Sequence, residues 1–139
     1  MKKVLVFGVF DMFHFGHLRL LKNAAKLGDY LIVAVQSNEY IAKYKTDSNE
    51  LIGTLYSLEE RIEMLQALHC VDEVISYTDV DKDIQKHEFD IFVKGPDQTH
   101  FGFQAATKWC GENGKEVVVL PRTEGISSTY LKHILSDLE

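Results

Sequence analysis

Five short apolar runs alternate with segments of helical period along this chain, and that alternation constrains the fold more than any other feature. Val4–Phe7, Tyr30–Val35, Glu73–Ser76, Asp90–Val93 and Glu116–Leu120 read as strands. Gly16–Lys26, Ser57 to about Leu68, Val80–His87 and Gly102–Glu112 read as helices, and Ser127 or Ser128 caps a last helix running to about Leu135. The run Tyr30-Leu31-Ile32-Val33-Ala34-Val35 is apolar on both faces, as strands buried in parallel sheets are. Leu18, Leu21, Ala24, Ala25 and Leu27 recur at helical spacing, and Gly28 supplies a C-terminal stop. Ser57-Leu58-Glu59-Glu60 is a capping box. Asn38–Tyr44 reads as a short helical turn, and residues 45–55 as a polar, mobile loop. Strands separated by helices pair in parallel through right-handed crossovers. The expected fold is therefore α/β, a doubly wound parallel sheet of five strands with helices on both faces. With no internal repeat, linker or low-complexity segment, residues 1–139 are expected to form one domain.

Composition narrows the function. The chain is 45% apolar and 26% charged, ordinary values for a globular protein, so an ordered domain is expected. Its net charge of −6 argues against nucleic acid as a partner. A small anion remains open, because the local field at a site matters more than the net charge. The two cysteines, Cys70 and Cys110, are expected to be reduced and buried, which points to the cytoplasm. The apolar run after Met1-Lys2-Lys3 is too short for a signal sequence, and no stretch approaches the ~18 apolar residues of a membrane span.

Gly8-Val9-Phe10-Asp11-Met12-Phe13-His14-Phe15-Gly16-His17 joins the first strand to the first helix. In an α/β sheet, ligands bind at this kind of handover, and a helix N-terminus there favours anions. Gly16 allows close backbone approach, and His14 and His17 can donate hydrogen bonds and carry positive charge, so this is a phosphate-handling candidate. Two structural histidines in a turn, or a zinc site, are the alternatives; no third zinc ligand is evident by spacing. A second element, Arg122-Thr123-Glu124-Gly125-Ile126-Ser127-Ser128-Thr129, sets an arginine after a strand end and three hydroxyls at a helix start. Hydroxyls and amides there can hold phosphate oxygens, or simply cap a helix.

Together the two strings resemble the signatures of the HxGH-motif nucleotidyltransferases, which share a Rossmann-like fold, and within them the cytidylyltransferases. The small glycerol-3-phosphate cytidylyltransferases match best. The resemblance extends to Leu27-Gly28-Asp29-Tyr30, Tyr56-Ser57-x-Glu59-x-Arg61 and Val71-Asp72-Glu73-Val74. It implies transfer of CMP from CTP to a small phosphorylated acceptor, glycerol 3-phosphate first, with release of pyrophosphate, for surface polysaccharide synthesis. A phosphorylated amino acid or amide as acceptor, an ATP-using adenylyltransferase and a non-catalytic nucleotide-binding module are the alternatives.

The resemblance also implies roles. His14, His17, Lys43, Lys45 and Arg122 would be catalytic, although Lys43 and Lys45 alone read equally as a solvated turn. Gly8, Val9, Phe10, Asp11, Gly16, Lys94, Asp97, Thr123, Gly125, Ile126, Ser127, Ser128 and Thr129 would bind the nucleotide. Arg61 and His69 would bind the acceptor; glycerol-3-phosphate members carry arginine where His69 stands. Mg²⁺ is expected with CTP, through Asp11 or through phosphates and water. A homodimer is implied. Pro96 replaces the first aspartate of a Gly-Asp-Asp turn, so Asp97 alone carries over from it. His87, His100 and His133 are read as surface or structural, Trp109 and the phenylalanines as core or interface, and Asp47, Glu50 and Glu59 as solvated.

Overall fold

The five apolar runs become five parallel strands: β1 (Lys3–Gly8), β2 (Tyr30–Gln36), β3 (Glu73–Tyr77), β4 (Ile91–Lys94) and β5 (Glu116–Val119). The structure is a computed structural model and describes residues 1–37, 54–122 and 134. The strand order is β3-β2-β1-β4-β5, with Val4 in register with Leu31 on one side and Ile91 on the other. Four helices accompany the strands among the described residues: α1 (Phe15–Ala25), α2 (Leu58–Gln66), α3 (Val80–Asp83) and α4 (Phe101–Glu112). The expected α/β sheet with helices on both faces is the observed fold.

Period-two alternation sorts the core. Leu5 and Phe7 of β1 face one side, where Val80 and Ile84 meet Phe103, Ala106 and Cys110 of α4. Val4 and Val6 face the other, against Leu21 and Ala24 of α1 and Leu65 of α2. Burying each large side chain is worth about 1.5–3 kcal/mol, so the central strand, covered on both faces, anchors the domain. Burial pushes the Cys110 thiol up to about 11 and raises Cys70 as well, so neither favours the reactive thiolate.

Local differences from the sequence reading have local causes. The expected helix Val80–His87 stops at Asp83 and tightens into a 3₁₀ turn, Ile84–Lys86. The Asp83 carboxylate accepts the Thr78 and Asp79 amides at 2.7 and 3.2 Å, tying this short helix to its own start. The Ser57–Glu60 capping box forms as expected, but α2 ends at Gln66. Strand β3 runs on to Tyr77, whose ring meets Phe7 edge-on at 4.8 Å. The expected turn Asn38–Tyr44, loop residues 45–53 and the last helix apart from Ile134 lie outside the described residues. Among the described residues, no helix is long and apolar enough to cross a membrane.

Candidate active site

The chain leaves β1 for α1 on one face of the sheet and leaves β4 for α4 on the other, so a crevice opens at the carboxyl ends of these adjacent strands. Gln98 bridges it: its Nε2 donates to the Phe7 carbonyl at 2.8 Å, while its Oε1 accepts the Gly95 amide at 3.0 Å.

The β1–α1 loop is tightly folded. A Cβ on Gly8 would lie 2.7 Å from the Phe10 ring, so any side chain there displaces that ring. Phe10 and Met12 hold φ of +54° and +49°, in the left-handed region. Each such residue costs about 1–2 kcal/mol, a strain that persists only where surroundings impose it. The buried Phe10 ring and Asp11 carboxylate impose it here.

Two histidines close the first turn of α1. His14 is the N-cap: its Nδ1 accepts the amides of Gly16 at 3.0 Å and His17 at 3.4 Å. His17 returns the bond, its Nδ1 accepting the His14 amide at 3.2 Å. The capping box is normally built from Ser or Thr with Glu or Gln; here two imidazoles replace them. The rings stack with centroids 3.8 Å apart and 20° between planes. Phe10 and Phe13 lie 5.4 and 5.5 Å from the His17 ring. Burial therefore pushes His17 down to about 3, helped by His14 and opposed by the Asp11 carboxylate. Burial also lowers His14, and the Arg122 charge adds to that effect.

A buried charge pair lies beneath this turn. Arg61 is fully buried; its Nη1 donates to the Val9 carbonyl at 2.8 Å and the Gln36 carbonyl at 2.7 Å, and its Nε to the Tyr56 carbonyl at 3.3 Å. Burial works against its charge and Asp11 works for it. The Asp11 carboxylate accepts the Leu55 and Tyr56 amides at 2.9 and 3.1 Å. Arg61 thus ties the ends of β1 and β2 to the entrance of α2 from a fully buried position. Each Asp11 oxygen thus accepts one backbone amide of the segment that leads into α2. Among the described residues, no group of three or more His, Cys, Asp or Glu could hold a metal ion.

Arg122 follows β5 and pairs through Nη1 with the Asp97 carboxylate, both on the surface of the crevice. His14 follows β1, Asp97 follows β4 and Arg122 follows β5, so the parallel sheet sets all three at its carboxyl end. Lys94 ends β4, but its ammonium donates to Thr107 Oγ1 of α4 at 3.0 Å, on the face opposite α1. His69 is not brought to the site. It precedes β3, and its neighbour Asp72 accepts the amide of Leu31, at the start of β2, at 2.7 Å. In a parallel sheet that is the amino-terminal edge, opposite the histidine pair. Lys43, Lys45, Thr123, Gly125, Ile126, Ser127, Ser128 and Thr129 lie outside the described residues. Sequence reading passed over Gln98; a lone amide after Gly-Pro-Asp carries no signal until the two strand ends are seen side by side.

The chain matches the cytidylyltransferase-like family over residues 5–134. It is 39% identical to a glycerol-3-phosphate cytidylyltransferase of Bacillus spizizenii, covering 99% of this chain and 100% of that one. It is 36% identical to a glycerol-3-phosphate cytidylyltransferase of Staphylococcus aureus, covering 97% and 96%. Among solved structures, a lipopolysaccharide core biosynthesis protein from Thermoplasma volcanium superposes with a TM-score of 0.67 at 28% identity, covering 88% of this chain and 97% of that one.

Proposed function

The chain belongs to the cytidylyltransferase-like family, and on that premise we propose that it transfers CMP from CTP to glycerol 3-phosphate. The observation that carries this reading is the end-to-end match to a protein of that activity. The site's chemistry agrees with it. A phosphate oxygen of the acceptor attacks the α-phosphorus and forms a P–O bond. The bond from that phosphorus to the bridging oxygen breaks, and pyrophosphate leaves with the electron pair. The acceptor is already an anion, so no base is needed; the work is positioning two anions and stabilising the charge between them. His14 and His17 would hold phosphate oxygens at the α1 N-terminus, and Arg122, with Lys43 or Lys45, would supply positive charge. Gly8 to Asp11, Gly16, Asp97 and the hydroxyls of Ser127, Ser128 and Thr129 would frame the nucleotide.

The replacement of an arginine by His69 falls at the far end of the sheet, so within one chain it leaves glycerol 3-phosphate in place as acceptor. Mg²⁺ would accompany CTP, held through Asp11 or through the phosphates and water. A cytoplasmic homodimer serving surface polysaccharide synthesis rests on the family resemblance, and sedimentation would give the assembly. The deciding experiment is pyrophosphate release with Mg²⁺, CTP or ATP, and a panel of small phosphates. Release with CTP and glycerol 3-phosphate is expected. Release with ATP alone, or with CTP and only another phosphate, would overturn the base or the acceptor respectively.

A further inference from the structure

Strand β4 lies between β1 and β5, and its carboxyl end treats the two neighbours differently. Toward β5 the backbone ladder runs on: the Leu120 amide donates to the Lys94 carbonyl at 3.0 Å. Toward β1 the ladder stops at Val6 and Val93. In that parallel register the next rung would carry the Gly95 amide to the Phe7 carbonyl. The side-chain amide of Gln98 stands between them instead, accepting from Gly95 through Oε1 at 3.0 Å and donating to Phe7 through Nε2 at 2.8 Å. Two hydrogen bonds and an amide thus take the place of one hydrogen bond, and β4 parts from β1 while still joined to β5. A Cβ on Gly95 would meet nothing within 4 Å, so there is open space beside the parting.

Gln98 also closes the turn that follows β4. Its backbone amide donates to the Gly95 carbonyl at 3.2 Å, and Pro96 stands second in that turn, where its fixed φ is favoured. Gly95 therefore gives both of its backbone groups to one residue. The third place in the turn is held by Asp97, exposed, with its carboxylate on Arg122. We propose that Gln98 is a positioning residue of the crevice: its amide, spliced between β1 and β4, sets their opening and fixes the turn that places Asp97 against Arg122 for the incoming nucleotide. A glutamine suits the task. Gly95 can only donate there and Phe7 can only accept, so one uncharged group must offer an acceptor and a donor side by side. A carboxylate would turn an oxygen on the Phe7 carbonyl, and an ammonium could not accept from Gly95. Both bonds are partly buried, so leaving the two backbone groups unmet is costly.

The splice stands on geometry alone; the nucleotide's part rests on the proposed function. Hydrogen exchange by ¹H–¹⁵N NMR on the ligand-free protein tests the first. The Gly95 amide and one Gln98 Nε2 proton are expected to exchange about 10-fold or more slower than in the urea-unfolded chain. Exchange of the Gln98 side chain at the unfolded rate overturns the splice. Gln98→Met tests the second, because it keeps the length of the side chain and removes both bonds. In pyrophosphate release with glycerol 3-phosphate it is expected to raise KM for CTP about 10-fold and to leave kcat within about threefold. In an Asp97→Asn background the same change is expected to move KM by less than about twofold, because the residue through which Gln98 acts is already altered. An unchanged KM, or an equal rise in both backgrounds, overturns the positioning role. If Gln98→Met does not fold, Gln98→Glu keeps the acceptor for Gly95, loses the donor to Phe7 and is held to the same comparison. A wild-type protein that turns over no CTP would sink the proposed function, while the exchange rates would still decide the splice.

Discussion

The tripeptide His-Phe-Gly opens two helices of this molecule, at residues 14–16 of α1 and 100–102 of α4. In both, the histidine Nδ1 accepts the glycine amide, at 3.0 and 3.1 Å, and the phenylalanine is exposed. The fourth residue parts them. His17 returns a hydrogen bond to its cap and stacks on it. Phe103 has no nitrogen to return one; it meets His100 edge-on at 4.7 Å and drops into the core. The incoming loops differ too. A neutral amide, Gln98, steadies the approach to α4, whereas the buried Arg61 and Asp11 lie under the approach to α1. A histidine cap is thus a way to start a helix, and it becomes a site only with a second imidazole one turn on and a charged strut below.

Giving α1 the four residues of α4 is the sharpest way to break the contrast. His17→Phe should leave the fold intact by circular dichroism and cut CTP-dependent pyrophosphate release by about 10²–10³-fold. Turnover within threefold of wild type would show that the second imidazole is dispensable. Removing the strut should be nearly as severe, in stability. Arg61→Met takes the buried donor from the carbonyls of Val9 and Gln36 and the nearby positive charge from Asp11, at a cost of about 3 kcal/mol in urea unfolding. A loss below about 1 kcal/mol would mean that water replaces the guanidinium freely.

The paired imidazole also leaves a pH signature. Native His17 stays neutral down to about 3, whereas the unfolded chain takes up that proton near 6.5. The contribution is complete above 6.5 and is lost as pH falls toward 3. Between about pH 5.5 and about pH 4.5, wild type should lose about 1.4 kcal/mol more than His17→Phe. Equal slopes for the two proteins would contradict the lowered value. The smallest effect belongs to the plain cap. His100→Ala should cost about 1 kcal/mol, an ordinary cap's worth, with turnover unchanged. A drop in turnover would make α4's start part of the chemistry.

Much of this architecture was legible in the residues. Tyr30–Val35 could only be a strand covered on both faces, and Ser57 with Glu60 announced the start of α2. The histidine string announced a candidate site because it stood between a strand and a helix. Arg61 was harder. Its spacing with Leu58 and Leu65 puts it on the buried face of α2, but a charge on an apolar face reads as surface until its carbonyl partners arrive from β1 and β2, far away in sequence. For His69 the parallel topology alone places any residue just before β3 at the amino-terminal edge of the sheet, opposite the histidine pair. The Gln98 bridge depends on β1 and β4 being neighbours, which no local pattern states.

The pairing of Arg122 with Asp97 has a consequence for which ions this crevice admits. An anion arriving at the guanidinium trades places with a carboxylate already there, and gains only the difference between two attractions. A singly charged anion offers one charge against one, whereas a chain of phosphates brings several charges to the same exchange. The carboxylate would therefore work as a tare on the balance: an anion that reaches this arginine is weighed against it, and the more heavily charged ones gain most.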